Sequence, residues 1–446
     1  MKKFIIAISL VVAVTIVVFC IWSFVYQDSD LFAVQLTGIE AEDEFNFRLS
    51  AKGDFTVDWG DGIIEPITRT DTTLTTYSHT YKKSGNFKII FDGLATEYNA
   101  DTASLDPVIS FNESDNQDKM TRISGNLGRM FPILNSGANG TPRFNLAFAE
   151  CAGLTGSIPE NLFAGIKGAP TEYMFHFTFY KSSGLTGSIP KNLFAGIKGP
   201  PAVHMFSGTF VECRGLTGSI PENLFAGIEG PPAEYMFHFT FWKCTGLTGS
   251  IPENFFARIK GPPAAHMFSG TFNECAGLTG SIPENLFTGI SGTPAENMFL
   301  GTFAKCRGLT GSIPENLFIG IKGPPTDGMF QDAFDDCRGL TGAIPGNLFA
   351  SISGAPAFAM FKSTFENCTG LTSIGDGLFD GISGPKTEFM FISTFYGCIS
   401  LTGTSAKSDG KFLYEKWPNA INHEVRSCYS KVTKLSDWDN IPVVWK

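Results

Sequence analysis

Charge is scarce in this 446-residue sequence, and positive charge is the scarcer kind. Only 17% of the residues are charged, below the ~25% typical of globular proteins, and 33 Lys and Arg stand against 43 Asp and Glu. The net charge of −10 argues against a nucleic-acid partner, because such proteins present a basic surface. Gly-rich phosphate loops, HExxH motifs and nucleophile elbows are also missing. We therefore expect no catalytic residues, no metal site and no cofactor, and predict that the protein is not an enzyme.

Apolar and aromatic residues, in contrast, are abundant, since 43% of the residues are hydrophobic and 43 residues are Phe. This composition excludes an intrinsically disordered chain, which has too little apolar surface to form a core. At ~150 residues per domain, the length favours about three domains. The large number of Phe rings requires an extended core that can bury them.

The first residues have the composition of a membrane signal. Lys2 and Lys3 precede an uncharged apolar run at residues 4–26, which as a helix would be about 34 Å long, enough to cross a bilayer. The run exceeds the ~7–15 residues of a signal-peptide core and lacks a small-residue cleavage site. We interpret residues 1–30 as a signal-anchor transmembrane helix, with a removed signal peptide as the alternative. Because positive charge stays inside, the rest is predicted to be extracytoplasmic and membrane-anchored.

A repeat of 31 residues dominates the remaining sequence. The motif Leu-Thr-Gly-Ser-Ile-Pro recurs at this spacing, and altered copies follow at Leu340, Leu371 and Leu401. Such extensive internal identity is typical of a solenoid, in which each unit packs only against its neighbours. The complete copies begin at Leu154, Leu185, Leu216, Leu247, Leu278 and Leu309.

Within one unit, two patterns predict regular structure. Residues 216–220 alternate between apolar and polar side chains, which predicts a short strand that Pro221 ends. Phe237, Phe241 and Cys244 follow i, i+4, i+7 spacing, which predicts a two-turn helix with one face in the core. Stacked units would form a parallel sheet covered by short helices, and we therefore predict an α/β repeat solenoid.

Seven positions of the unit form a pattern that recurs along the repeats, for example Phe241, Cys244, Leu247, Ile251, Pro252, Phe255 and Ile259. This pattern resembles the BspA-like leucine-rich repeats of bacterial surface proteins. The resemblance covers residues 123–446 and implies a leucine-rich-repeat fold of short parallel strands and short helices. It also implies adhesion and partner binding in general terms, and a location at a bacterial cell surface or in the periplasm.

Residues 31–95 differ in composition from the repeats. They contain alternating stretches that predict strands, with Val-Asp-Trp-Gly-Asp-Gly at 57–62 and Tyr-Ser-His-Thr-Tyr at 77–81. These motifs resemble a PKD domain, which implies a small all-β, immunoglobulin-like sandwich with Asp61 and His79 as turn and corner residues. We divide the chain into a signal anchor (1–30), a PKD-like β-sandwich (31–95), an N-terminal cap with a degenerate first repeat (96–150), the 31-residue repeats (151–408) and a C-terminal cap (409–446).

Cysteines occupy one fixed position of the repeat, where a single unit has Ser182 instead. One interpretation is a column of buried free thiols that pack as small apolar groups. The other is a set of disulfides between neighbouring units, whose Cα atoms could lie within ~4.4–6.8 Å. Ser182 favours free thiols, because a Ser costs little where no disulfide forms. The structural column comprises Cys151, Cys213, Cys244, Cys275, Cys306, Cys337, Cys368 and Cys398.

Aromatic residues form a pattern that repeats after two units, on the helix face opposite the predicted core face. The units between carry small residues at the matching places, such as Ser207 and Gly208. One interpretation is a binding patch for a glycan or a protein. The alternative is that large rings fill space over the small residues of the next unit. The predicted binding residues are Tyr173, Phe177, Tyr180, Tyr235, Phe239 and Trp242.

Four histidines share the same 62-residue spacing, His176 with His238 and His204 with His266. We interpret them as exposed residues copied together with a two-unit block, in preference to a metal-binding array.

The sequence thus predicts a membrane-anchored, extracytoplasmic leucine-rich-repeat protein that acts as an adhesin or partner-binding surface protein. Its expected partner is an extracellular protein or glycan, with membrane contact through the N-terminal helix. A purely structural envelope rod is one alternative. An accessory part of a secreted hydrolase is another, because PKD-like modules accompany such enzymes. An enzyme should show paired carboxylates or a metal set that interrupts the repeat pattern, and the sequence shows neither.

Overall fold

A computed structural model describes residues 30–99, 101, 104–112, 114–134 and 140–446. The predicted signal anchor therefore falls, except for Asp30, outside the described residues. Within those ranges, no helix is both long enough and apolar enough to cross a membrane. We accordingly correct the prediction. Membrane attachment through an N-terminal helix, and the membrane-anchored location that rested on it, are not supported and are withdrawn.

Eight strands of the described residues precede the repeats. They are β1 (Phe32–Ile39), β2 (Glu44–Leu49), β3 (Lys52–Asp58), β4 (Ile64–Arg69), β5 (Thr75–Thr80), β6 (Gly85–Glu97), β7 (Ile109–Ser110) and β8 (Met120–Ser124). One sheet has the order β4-β3-β6-β1-β8 and the other the order β5-β2-β7, and all neighbours are antiparallel. Phe55 and Val57 alternate with exposed residues along β3, so one face of the strand is directed to the core.

The motif at residues 57–62 forms the turn between β3 and β4. The buried Trp59 accepts a hydrogen bond at its backbone carbonyl from the Tyr81 hydroxyl, at 3.0 Å. The His79 ring stacks on Trp59 with 4.9 Å between centroids, and His79 Nε2 lies 2.8 Å from Asp61 Oδ2. Asp61 and His79 thereby hold the turn against β5.

The first sheet continues directly into the repeats. β8 pairs with β1 on one side, and on the other side the Thr155 N–H donates to the Thr121 carbonyl at 3.0 Å. The aromatic core is continuous as well, since the Phe111 ring stacks on Phe148 with 5.7 Å between centroids. The N-terminal sheets therefore cover the strand edge that the first repeat would otherwise expose.

Two columns of parallel bridges link successive repeats. Gly218 pairs with Leu247, and Gly230 pairs with Ile259; both bridges recur along the stack. Further along, β9 (Gly342–Ile344) pairs in parallel with β10 (Leu371–Ile374). The interior holds columns of Phe rings, in which neighbours such as Phe206 and Phe237 stack at 5.8 Å with planes 2° apart.

The predicted α/β fold class is wrong. Residues 141–412, all of them described, contain no helix, and helix makes up 5% of the structure against 21% strand. In the segment where we predicted a two-turn helix, backbone N–H groups alternate between two kinds of partner. The His238 N–H donates to the Tyr235 carbonyl three residues earlier, whereas the Phe239 N–H donates to the Ser269 carbonyl of the next unit. The repeats are therefore stacked coils of bridges and turns.

A four-residue backbone repeat explains the difference. Tyr235, Phe239 and Lys243 have φ values of 55°, 53° and 60°, in the left-handed region. Each four-residue turn places two side chains inside and two outside, so residues four apart lie on one face. An α-helix produces nearly the same spacing, and side-chain periodicity cannot separate the two conformations. Half of the N–H groups bond to the next unit, which ties neighbouring coils together.

Short elements close the C-terminal end. Trp417 lies 5.6 Å from Phe391, and Tyr429 stacks on Phe395 at 5.4 Å, so the last rings of two Phe columns are covered. The elements of this end are β11 (Lys407–Ser408), β12 (Lys411–Phe412), the helices Leu413–Lys416 and Asn422–Val425, and the 3₁₀ helices Trp438–Asn440 and Val443–Trp445. Two more 3₁₀ helices, Gln117–Lys119 and Leu127–Arg129, flank β8.

Candidate binding face

The outward side chains of the turn segments form one continuous surface, which we call the turn face. In the first such unit it comprises Tyr173, His176, Phe177, Tyr180 and Lys181, and equivalent positions follow every 31 residues as far as Ala359. All six predicted binding residues lie on this face and are partly buried. They project from a run of turns, and the prediction that placed them on a helix is corrected accordingly.

Four rings of the turn face stack on one another along the coil. Tyr173, His204, Tyr235 and His266 occupy equivalent positions, and successive ring centroids are 4.8, 4.4 and 4.5 Å apart. Their planes differ by only 9–12°, so each ring covers the face of the next. Asn297 ends this stack with Nδ2 3.4 Å from His266 Nε2.

Phe177 and Phe239 rest on the glycines of the next unit. A Cβ at Gly208 would lie 2.1 Å from the Phe177 ring, and one at Gly270 would lie 2.1 Å from the Phe239 ring. Both glycines also have positive φ, 63° and 60°. These two Phe rings therefore fill the space that the small residues leave.

Tyr180 and Trp242 form the outer edge of the aromatic surface. Tyr180 lies 4.9 Å from Phe177, and Trp242 lies 4.7 Å from Phe239. A lysine ammonium lies over each ring, Lys181 at 4.8 Å from the first and Lys243 at 4.4 Å from the second. Cation–π contacts of this kind contribute about 0.5–1 kcal/mol at exposed sites.

The four histidines of the turn face, which we predicted to be exposed, are partly buried among the rings. Burial, and next the neighbouring His204, lower the pKa of His176 to about 4. Burial, and next the neighbouring His266, lower the pKa of His238 to about 3. All four histidines of the face have a lowered pKa, mainly because of burial, and they are neutral at pH 7. A comparison of positions one unit apart, such as Tyr173 and His204, would have predicted the column of alternating Tyr and His rings.

Ion pairs line the edge of the face. Lys181 pairs with Glu150 at 3.4 Å, and one block later Lys243 pairs with Glu212 at 3.2 Å. The series continues with Lys305 and Glu274 at 3.0 Å. These side chains are partly exposed, so each pair contributes at most about 1 kcal/mol.

Further along, the turn face becomes acidic. Asp332, Asp335 and Asp336 replace the residues equivalent to Phe239, Trp242 and Lys243. Burial, and next the charge of Glu366, raise the pKa of Asp335 to about 7. Within the described part of the chain, no group of three or more His, Cys, Asp or Glu side chains is arranged to hold a metal ion.

The cysteine column lies inside the coils. The nine described cysteines are free and buried, and burial raises the pKa of their thiols. Each thiol of the regular units donates to a backbone carbonyl of the preceding unit; Cys244 Sγ, for example, lies 2.9 Å from the Phe210 oxygen. The Ser182 hydroxyl donates to the equivalent Phe148 carbonyl, at 2.5 Å. The side chains of the column thus donate hydrogen bonds to buried backbone carbonyl groups, and either Cys or Ser can do so.

Comparison with known proteins identifies no relative. The chain matches no protein-family model, no curated protein and no solved structure. The BspA-like and PKD-like resemblances therefore stay predictions from motifs, and the function must be inferred from the geometry of the coils.

Proposed function

We propose that this chain is a non-catalytic binding protein that recognises a protein partner through the ring half of its turn face. The ring half is the set of turn-face residues from Tyr173 to Lys243, together with His266 and its neighbours up to Glu274. The observation that carries the proposal is the location of differences between units.

The two exposed positions of the strand segment are the same in all six complete copies of the repeat. Thr217 and Ser219 of the strand segment recur as Thr248 and Ser250, all of them exposed. On the turn face, by contrast, Tyr235 is followed by His266 and then by other residue types. A purely structural rod does not require different residues on one face, whereas the recognition of a specific partner does require them.

The stacking geometry favours a protein over a glycan. Aromatic rings bind sugars through their faces, but His204 is covered on both sides by Tyr173 and Tyr235. Tyr173 and Tyr235 are only partly buried, and neither hydroxyl group forms a hydrogen bond to a described residue. Amphipathic Tyr and Trp side chains of this kind are enriched at protein–protein interfaces.

A binding array tests this proposal. The full chain is applied to immobilised glycans and proteins, and the affinity for each bound molecule is then measured by surface plasmon resonance. Tyr235→Ala with Trp242→Ala should weaken protein binding about 30-fold or more, the effect of losing one hot spot of 2 kcal/mol.

Thr217→Ala with Thr248→Ala on the strand side is the matched control and should bind normally. Unchanged binding by the Tyr235/Trp242 variant would contradict the proposal. So would a melting temperature that falls as far as that of Phe237→Ala, because the rings would then serve only to pack the coil.

A further inference from the structure

A cleft of about 350 Å³ lies where the N-terminal sheet meets the first full repeat. We call it the junction cleft. Its centre is Gln35 on β1, which pairs in register with Lys88 on β6 and with Arg122 on β8. Residues directly opposite in neighbouring strands project to the same face of the sheet. Lys88, Gln35 and Arg122 therefore form one row across three strands. Other residues of the lining are Ala33, Ser124, Gly125, Ser157 and Pro159.

The two cations of the row have no partner among the described residues. Both side chains are exposed, and among the described residues neither forms an ion pair or a side-chain hydrogen bond. The hydroxyl groups of Ser124 and Ser157 are likewise without a hydrogen bond to any described residue. The cleft therefore offers two unpaired cations and two free hydroxyl donors to a ligand, in a chain whose net charge is −10.

Two glycines at the cleft pack closely against their neighbours. Gly125 has a φ of 79°, and a Cβ there would lie 1.9 Å from the Leu31 carbonyl oxygen. A Cβ at Gly156 would lie 3.3 Å from Arg122 Cγ, so the stem of Arg122 passes over this glycine. Arg122 also departs from the repeat pattern, because Thr121-Arg122-Ile123 stands where the full units have Thr-Gly-Ser-Ile. The arginine thus appears where the coil joins the N-terminal sheet.

We propose that the junction cleft binds a small oxyanion, a phosphate- or carboxylate-bearing molecule held between Arg122 and Lys88. The planar guanidinium suits two-point binding of a carboxylate or phosphate, and the ammonium adds a point charge. Lys88 and Arg122 are two strand spacings apart, about 10 Å at the backbone, so their flexible side chains approach the ligand from opposite sides. Ser124 and Ser157 supply neutral donors. The volume matches the lower range of small-molecule sites.

The cleft combines residues of two parts of the chain. Lys88, Gln35, Arg122 and Ser124 belong to the N-terminal sheet, whereas Ser157 and Pro159 belong to the first full repeat. A ligand that binds only the folded junction stabilises it by mass action. Oxyanion binding should therefore raise the melting temperature of the protein as well as release heat.

Isothermal titration calorimetry of the full chain tests the proposal, with inorganic phosphate and citrate as separate probes at low ionic strength. Lys88→Gln with Arg122→Gln should weaken binding at least tenfold and abolish the ligand-dependent rise in melting temperature. Lys83→Gln with Arg129→Gln removes the same charge from exposed residues outside the cleft and should bind like the wild type. Tighter binding of phosphate or of citrate would assign the ligand to one of the two chemistries.

Three results would overturn the proposal. The first is that neither probe binds at concentrations up to 10 mM. The second is normal binding by the Lys88/Arg122 variant. The third is an equal loss of affinity in the Lys83/Arg129 control, which would indicate unspecific electrostatic attraction. The cleft and the turn face share no residue, so either proposal can fail while the other stands.

Discussion

Two regions of the turn face, the ring half and an acidic half around Asp332, Asp335 and Glu366, have the same backbone and opposite chemistry. Phe239 and Asp332 occupy equivalent positions three units apart, with φ values of 53° and 55°. Beneath them the same Phe column continues from Phe237 to Phe330. The inward residues therefore determine the coil, and the outward residues vary over it without changing the backbone.

The two halves also respond to pH in opposite directions. In the ring half, burial keeps the histidines neutral and lowers their pKa. In the acidic half, burial raises the pKa of Asp335, of Asp332 and of Glu366. A lower pH should therefore destabilise the ring half and stabilise the acidic half.

The largest expected effect tests whether the two halves share one core. Phe237→Ala in the ring half and Phe330→Ala in the acidic half should each cost about 3–5 kcal/mol of unfolding free energy, because each removes a buried ring from the column. Urea denaturation measures both. Glu222→Ala, an exposed position, is the control and should change stability by less than about 0.5 kcal/mol. A small loss at Phe330 alone would show that the column does not support the acidic half.

A smaller effect separates ring packing from backbone conformation. Gly270 and Gly301 are equivalent, with φ values of 60° and 58°, but only Gly270 lies under a ring. Gly270→Ala should destabilise the protein by about 1–3 kcal/mol more than Gly301→Ala, because its methyl group meets Phe239. Adding Phe239→Ala should remove that difference. Equal losses at the two glycines would mean that the ring does not rest on Gly270.

In the acidic half, stability should fall as pH rises. Burial, and next the charge of Glu366, raise the pKa of Asp335 to about 7, whereas an unfolded Asp titrates near ~3.9. The folded state therefore holds a proton that the unfolded state releases, and its advantage is lost between about pH 4 and pH 7. Asp335→Asn should raise the melting temperature at pH 8 and leave it nearly unchanged at pH 4. An equal shift at both pH values would contradict this assignment.

In the ring half, the sign is reversed. The pKa of His238 is about 3 in the folded state, against ~6.5 for an unfolded His. Folded protein thus binds fewer protons, and its stability falls as the pH drops from about 6.5 towards 3. His238→Gln should reduce this acid sensitivity, measured as the change in melting temperature between pH 7 and pH 4. A variant as acid-sensitive as the wild type would show that His238 does not titrate as proposed.

The repeat, its spacing and the inward residues were predictable from the sequence. Leu216 and Ile220 of the strand segment and Phe237, Phe241 and Cys244 of the turn segment are all buried in the core, as their spacing indicated. The conformation of the turn segment was not predictable, because residues four apart share a face in a helix and in a four-residue turn alike. The two conformations differ in the acceptor of the Phe239 N–H. In this structure the acceptor is the Ser269 carbonyl, which belongs to the next unit.

The candidate binding face was predictable in part. Its six aromatic residues were identified by their two-unit spacing. His204 and His266 were identified by the same spacing but interpreted as exposed, because their stacking on Tyr173 and Tyr235 is a contact between coils. The junction cleft lay beyond sequence analysis altogether. The row of Lys88, Gln35 and Arg122 depends on the register of three strands that are distant in the chain.

Because every second N–H of a turn segment donates to the following unit, the bonds between coils follow the direction of the stack. Tension applied to the two ends would load these layers in series, so coils should detach one at a time. Each event would release 31 residues, about 105 Å of contour length at full extension. Single-molecule force measurements should therefore show a series of nearly equal extensions, with each freed coil able to reform on the layer that remains.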